Sequence, residues 1–271
     1  MVRALYTAAS GMTAQQLNVD TISNNLANVN TVGYKKETTN FKSLLYTNLQ
    51  GPEDEPVTAN TPSINQVGHG VRALANSRNY AAGTLQQTNN ATDLAIIGNG
   101  FFAVDNNGEE LYTRDGSFRF AMLEDEGSYA LVTADGYPVM STEDESIIVG
   151  SEVPTEKLQI GQDGSVYYLD EEDIKIDIGQ IKMVQFTNKA GLEAAGSNLY
   201  KATAASGEPL LESDDDELVK SVLRSGYLEG SNVQLAEEMV NLIIAQRAYE
   251  VNSTAIQTAD DMMKQANQLK Q

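Results

Sequence analysis

His69 is the only imidazole in this 271-residue chain and cysteine is absent. Sites that need two imidazoles, a thiolate nucleophile or a Cys-ligated metal are therefore ruled out. Carboxylates are plentiful, with 38 Asp and Glu against 18 Lys and Arg, and two arrangements of them could do chemistry. Asp105-Asn106-Asn107-Gly108 begins like a calcium loop. Its glycine comes three positions after the first acid, however, where an EF-hand needs five, so a hairpin turn is the better reading. Asp115 and Asp135 could form the acid pair of a glycosidase. Each stands directly before a Gly, where Asp more commonly starts a turn. Gly98-Asn99-Gly100 runs into Phe101-Phe102 rather than into a helix whose N-terminus could hold a phosphate. No GxSxG, P-loop or dinucleotide fingerprint occurs. No catalytic residue, cofactor site or metal site is expected.

The pattern with a definite spacing lies at the two ends. From Ser231 to Gln271 the chain has no Pro or Gly, and Leu235, Leu242, Tyr249, Ile256 and Met263 recur every seven residues. That holds one stripe on one helical face, flanked by Ala245, Ala259 and Ala266, and makes Tyr249 a packing residue rather than a reactive phenol. Ser231 or Asn232 is the expected N-cap, with Glu237 and Glu238 favouring the first turn through the helix dipole. Such a helix is ~55–60 Å long and cannot bury a narrow seam alone. Its expected partner is the N-terminal segment Val2 to Val29. Leu5, Met12, Val19 and Leu26 repeat there in one register, with Ala8, Gln15, Ile22 and Val29 three positions later. Gly11 costs about 1 kcal/mol relative to Ala within a helix, which makes sense where another helix packs closely.

Between these ends the period changes. Asn28 to Tyr34 is rich in turn formers, Phe41 to Leu49 suggests a further short helix, and residues 51–70 read as a loop or extended tongue. From about Val71 short strands follow, at residues 94–97, 101–104, 117–120, 129–133, 137–140, 147–149, 158–160, 166–169 and 174–186. Turns at Asn107-Gly108, Asp115-Gly116, Asp135-Gly136 and Asp163-Gly164 separate them, the signature of antiparallel hairpins. Residues 188–211 read as a return to loop. The expected fold class is α+β: long N- and C-terminal helices forming a coiled-coil-like pair, with a central antiparallel all-β domain. The expected divisions are 1–30, 31–75, 76–225 and 226–271.

Charge follows the same division. The net charge is -20, and residues 1–46 (+2) and 233–271 (-2) cancel, so residues 47–232 carry all of it. A middle so acidic disfavours nucleic acid and anionic membranes, while nearly neutral ends can associate. No apolar run approaches the ~20 residues of a membrane span, and no sustained apolar segment near the N-terminus suggests a cleaved signal.

Four segments carry a resemblance: SGMTAQQLNVDTISNNLANVNTVGYKK (10–36), ATDLAIIGNGFFAV (91–104) with YTRDGSF (112–118), LVTADGYPV (131–139), and the end from Gly226 to Met263. Together they resemble the bacterial flagellar rod and hook family, and the length is most similar to its distal-rod branch. The resemblance implies a structural, non-enzymatic subunit of the basal-body rod. It would polymerise with itself into a rigid helical tube that transmits torque to the hook. Its implied partners are copies of itself, neighbouring rod and hook proteins, the flagellar export apparatus and bushing ring proteins, with no small-molecule substrate. Export would need no cleaved signal. Leu5, Met12, Val19, Ile22 and Leu26, with Leu235, Leu242, Tyr249, Ile256 and Met263, are the expected subunit-interface residues. The alternatives are a proximal-rod member with the same layout, or a secreted adhesin whose helices form only a stalk.

Overall fold

The structure, a computed structural model, describes residues 2–50, 65–122, 128–150, 158–169, 174–214 and 218–269. The chain forms two compact units. One comprises Met1–Ala27, Glu37–Asn79 and Gln234–Gln271; the other comprises Asn28–Lys36 and Tyr80–Val233. N- and C-terminal helices bracketing an antiparallel β-rich middle are the expected fold class.

The first unit holds α1 (Val2–Ala27) and α2 (Leu235–Gln268). It also holds a β ribbon made of β1 (Glu37–Ser43), β2 (Tyr46–Gln50), β3 (Asn65–Gly68) and β4 (Val71–Arg78). β1 pairs antiparallel with β4 and β2 with β3, so 37–50 folds back on 65–78 as one long hairpin. The helix expected over Phe41 to Leu49 is therefore strand. Thr47 within it and Thr38 and Thr39 just before it suit an extended backbone, and pairing with residues 65–78 supplies a ladder that overrides the helical spacing of Phe41, Leu44, Leu45 and Leu49. Phe41, Leu45 and Tyr46 are 40%, 86% and 59% exposed. Of the tongue expected over 51–70, residues 65–70 form β3 and the turn into β4; residues 51–64 lie outside the described residues.

α1 ends two residues before Val29, at a turn where Thr31 N–H donates to the Asn28 carbonyl at 3.2 Å. The N-cap of α2 is Gln234, not Ser231 or Asn232. Those two side chains are engaged elsewhere: Ser231 Oγ accepts from Val233 N–H at 3.2 Å, and Asn232 Oδ1 accepts from Lys36 N–H at 2.7 Å. At 34 residues α2 is ~51 Å long. Among the described residues no helix is long and apolar enough to cross a membrane.

The second unit is built on a sheet whose central strands are β5 (Phe101–Asn106) and β6 (Glu109–Thr113). Outward from β5 lie β7 (Met183–Gln185) and β10 (Leu210–Leu211); outward from β6 lie β9 (Leu199–Lys201) and β8 (Glu193–Gly196). Both faces of this sheet are covered. Phe102, Val104, Leu111 and Met183 face one core with Leu131, Val139 and Leu223, while Phe101, Ala103, Tyr112 and Val184 face another with Phe186 and Tyr200. That is why Phe101-Phe102-Ala103-Val104 is apolar without alternation. The second core is aromatic, with Phe101 set edge-on to Phe186 at 5.7 Å and to Tyr200 at 6.0 Å between ring centroids.

Asn107 and Gly108 both have positive φ (54° and 89°) and close the β5–β6 hairpin as a two-residue turn. Asp105 Oδ1 accepts the Gly108 N–H at 2.8 Å, which makes it a turn residue, and Asp115 Oδ1 accepts the Ser117 N–H at 3.0 Å in the same way. The loop expected over 188–211 contains β8, β9 and β10. Its first hairpin turns through Ser197 and Asn198, both with positive φ, and the flanking Ala194, Ala195 and Gly196 give no strand signal by type. Residues 137–140 make isolated bridges rather than a named strand.

Candidate functional site

With no chemical centre suggested by residue type, the candidate site is the surface made by the terminal helices. α1 and α2 pack as an antiparallel hairpin. Asn25 Nδ2 donates to Glu238 Oε2 at 3.2 Å. A Cβ at Gly11 would stand 3.0 Å from Asn252 Nδ2. These two pairs lie two heptads apart on both helices, so one seven-residue register runs through the contact. The close approach expected at Gly11 is present, and any side chain there would press on Asn252.

The line at the centre of the hairpin is made of small and polar residues. On α2 it is Glu238, Ala245, Asn252 and Ala259, of which Glu238, Ala245 and Ala259 are 1%, 1% and 2% exposed. On α1 it is Gly11, Ala14, Asn18, Thr21 and Asn25, with Ile22 buried alongside. Asn25 also holds the start of β1. Its Nδ2 donates to the Glu37 carbonyl at 2.8 Å and its Oδ1 accepts the Glu37 N–H at 2.9 Å. Thr21 Oγ1 lies 2.8 Å from Thr39 Oγ1, and Val71 N–H donates to Ser10 Oγ, so the ribbon is laid along α1. His69 is spent in the ribbon, where Nε2 meets Thr47 Oγ1.

The ten expected interface residues divide unequally over this geometry. Ile22 is buried in the hairpin. Leu5, Met12, Val19, Leu26, Leu242, Ile256 and Met263 are half-buried along its flank. Leu235 and Tyr249 remain exposed, at 51% and 43%. Val19 and Tyr249, with Gln16, Gln246 and Glu250, line an open groove of about 410 Å³ between the helices.

A heptad search overlooks the apolar residues off the stripe. Met239, Val240, Ile243, Ile244 and Val251 are 51%, 55%, 55%, 61% and 68% exposed. Leu235 to Ala245 thus presents apolar side chains over more than half of its circumference, with Glu237, Glu238 and Asn241 on the remainder, while α1 covers only one side. The signal was readable as composition, since residues 239–245 (MVNLIIA) hold a single polar side chain. Farther along, the face turns polar, with an exposed Asp260–Lys264 pair at 2.6 Å that contributes little to stability.

Comparison with known proteins matches this division. Residues 5–35 fit the family described as flagella basal body rod protein, and residues 95–168 the D1 domain of flagellar hook protein FlgE/F/G. Residues 224–269 fit the C-terminal family of the flagellar basal body rod FlgEFG proteins. The flagellar basal-body rod protein FlgG of Borreliella burgdorferi is 47% identical, over 100% of this chain and 99% of its own. FlgG of Buchnera aphidicola from Schizaphis graminum is 40% identical over 99% and 100%, and FlgG of Bacillus subtilis 36% over all of both. Matched end to end at this identity, the chain belongs to the FlgG family of flagellar basal-body rod proteins.

Proposed function

We propose that the chain is a structural subunit of the distal rod, without enzymatic activity, that polymerises into a rigid helical tube carrying motor torque to the hook. The observation that carries this is the apolar girth of α2. Exposed Leu235, Met239, Val240, Ile243 and Ile244 make an apolar surface wider than one partner helix covers, and within one chain only one side of Leu235 to Ala245 is covered. Further copies of the chain supply the missing neighbours, with Val240, Ile243, Ile244 and Val251 joining the ten expected interface residues. Near-neutral ends permit that contact, and the acidic β unit keeps the assembly soluble. The interface would include rod and hook proteins at the two ends of the tube, and the chain would reach the growing tip through the flagellar export apparatus. Bushing ring proteins are the expected neighbours around it.

The test is electron microscopy of basal bodies from cells lacking the chain. A rod that stops short, with no hook, is the expected result. Loss of the rod from its base would make the chain a proximal subunit, and intact basal bodies would remove it from the rod.

A further inference from the structure

The second unit connects to the rest of the chain at four points, between residues 27 and 28, 36 and 37, 79 and 80, and 233 and 234. The segments that lead to these points, 28–36, 80–84 and 229–233, lie side by side within the unit, and one buried carboxylate joins them. Glu229, 1% exposed, accepts from Lys35 Nζ at 2.7 Å, from Gly83 N–H at 2.9 Å and from Arg114 Nη1 at 3.2 Å. Lys35 and Arg114 are each 1% exposed as well. Lys35 Nζ also donates to the Ala81 carbonyl at 3.0 Å, and Arg114 Nη2 to the Gly98 carbonyl at 2.6 Å.

Backbone bonds run around the same centre. Gly33 N–H donates to the Glu229 carbonyl at 2.8 Å and Gly230 N–H to the Thr84 carbonyl at 2.8 Å. Asn232 bridges Lys36 N–H and the Ala81 carbonyl. Short strands 85–87 and 227–229 pair alongside. There is no room for slack: a Cβ on Gly83 would lie 1.9 Å from the Gly230 carbonyl oxygen.

Burying three charges is a poor way to add stability, because desolvation offsets most of the attraction. The arrangement makes sense as a device for position. Apolar contacts would let the three segments slide, whereas a carboxylate with donors from two of them, and its own backbone in the third, accepts one geometry. Three of the four segments that carry the family resemblance bring a part: Lys35 from the first, Gly98, Phe101 and Arg114 from the second, Glu229 from the last. Arg114 is further held over the Phe101 ring at 5.2 Å.

We propose that Glu229, with Lys35, Arg114 and Gly83 as its positioning partners, is a joint that locks all the segments through which the β unit connects to the rest of the chain. They open and close as one body, so load passed along the chain is shared among them instead of being borne by one strand. This goes beyond the rod assignment and does not depend on it.

The test is amide hydrogen exchange on the purified full-length chain, comparing the parent with Glu229→Gln and Gly83→Ala. The first variant removes the charge and the second wedges the same place open by bulk. In both, the amides of Gly33, Lys36 and Gly230 are expected to exchange at least ten-fold faster, while those of Ala103, Asp105 and Val139 keep parental rates. The double change Lys35→Met with Glu229→Gln removes one stranded cation; it should recover part of the melting temperature and leave the three amides fast. Unchanged protection of the three amides in both variants would overturn the proposal. So would equal loss of protection throughout the β unit, including failure to fold, because Glu229 would then be an ordinary core group. Full recovery of slow exchange in the double variant also counts against it.

Discussion

Ile244 offers a direct test of how this chain associates. Its side chain is 61% exposed, and it lies about a quarter turn round α2 from the buried Ala245 line. Complete burial of an Ile side chain contributes ~1.5–3 kcal/mol, so finishing a burial that is two-fifths done contributes roughly 1–2 kcal/mol per copy. Ile244→Ala gives up most of that, which raises the concentration needed for polymerisation about ten-fold. Ile244→Asp also puts a carboxylate into an apolar contact, at a cost of several kcal/mol, or about three decades. Neither change touches the β unit, whose melting followed by circular dichroism should match the parent. The assay is sedimentation of polymer from full-length protein over a concentration series, with swimming of cells that carry the variant as their only copy. If Ile244→Asp polymerised at the parental threshold and supported swimming, α2 would not be the buried element of the assembly.

Other outcomes follow from the same geometry. Gly11→Leu should loosen the helix hairpin by about 1–3 kcal/mol, seen as lost helical signal on warming, and Asn252→Ala should suppress it by opening space opposite. Gly116→Ala would set a Cβ 1.7 Å from the Leu94 carbonyl oxygen, a backbone atom that cannot swing away, so the β unit should lose about 3 kcal/mol or more in thermal melting. The β unit should also weaken in acid. Burial alone would raise the Glu229 carboxyl, but Arg114, Lys35 and the Gly83 N–H outweigh it and hold the group below its ordinary 4.5. A depressed carboxylate contributes stability that is complete above pH ~4.5 and is lost as pH falls through the folded value, since the unfolded chain takes up the proton first. Glu229→Gln should flatten that part of the curve of melting temperature against pH, and an unchanged slope would show that other acids set it.

Local rules carry far in this chain. Asn107-Gly108 closes a hairpin because few other pairs tolerate positive φ at both places, and the heptads at both ends specify helices that need partners. The Asp-Gly steps at Asp115, Asp135 and Asp163 belong to turns as well, with positive φ at Gly136 and Gly164 and an Asp115 side chain that accepts the Ser117 N–H. Absence of cysteine and a lone His69 exclude thiolate and two-imidazole sites by composition alone, and the resemblance in four separated segments named the family before any geometry.

What lay beyond the sequence was decided by distance between segments. The heptad stripe chosen for its large apolar residues flanks the hairpin, whereas the buried line is Gly11, Asn25, Glu238, Ala245 and Ala259. How closely α1 and α2 approach depends on both helices at once, and a close approach selects small residues that carry no hydrophobic signal. Strands such as Glu193–Gly196 form because a neighbour offers them a ladder, against the preference of their own Ala and Gly. Lys35, Arg114 and Glu229 read singly as surface charges. They become one buried joint because folding brings together residues up to 194 positions apart, and attraction among charges acts through space rather than along the chain.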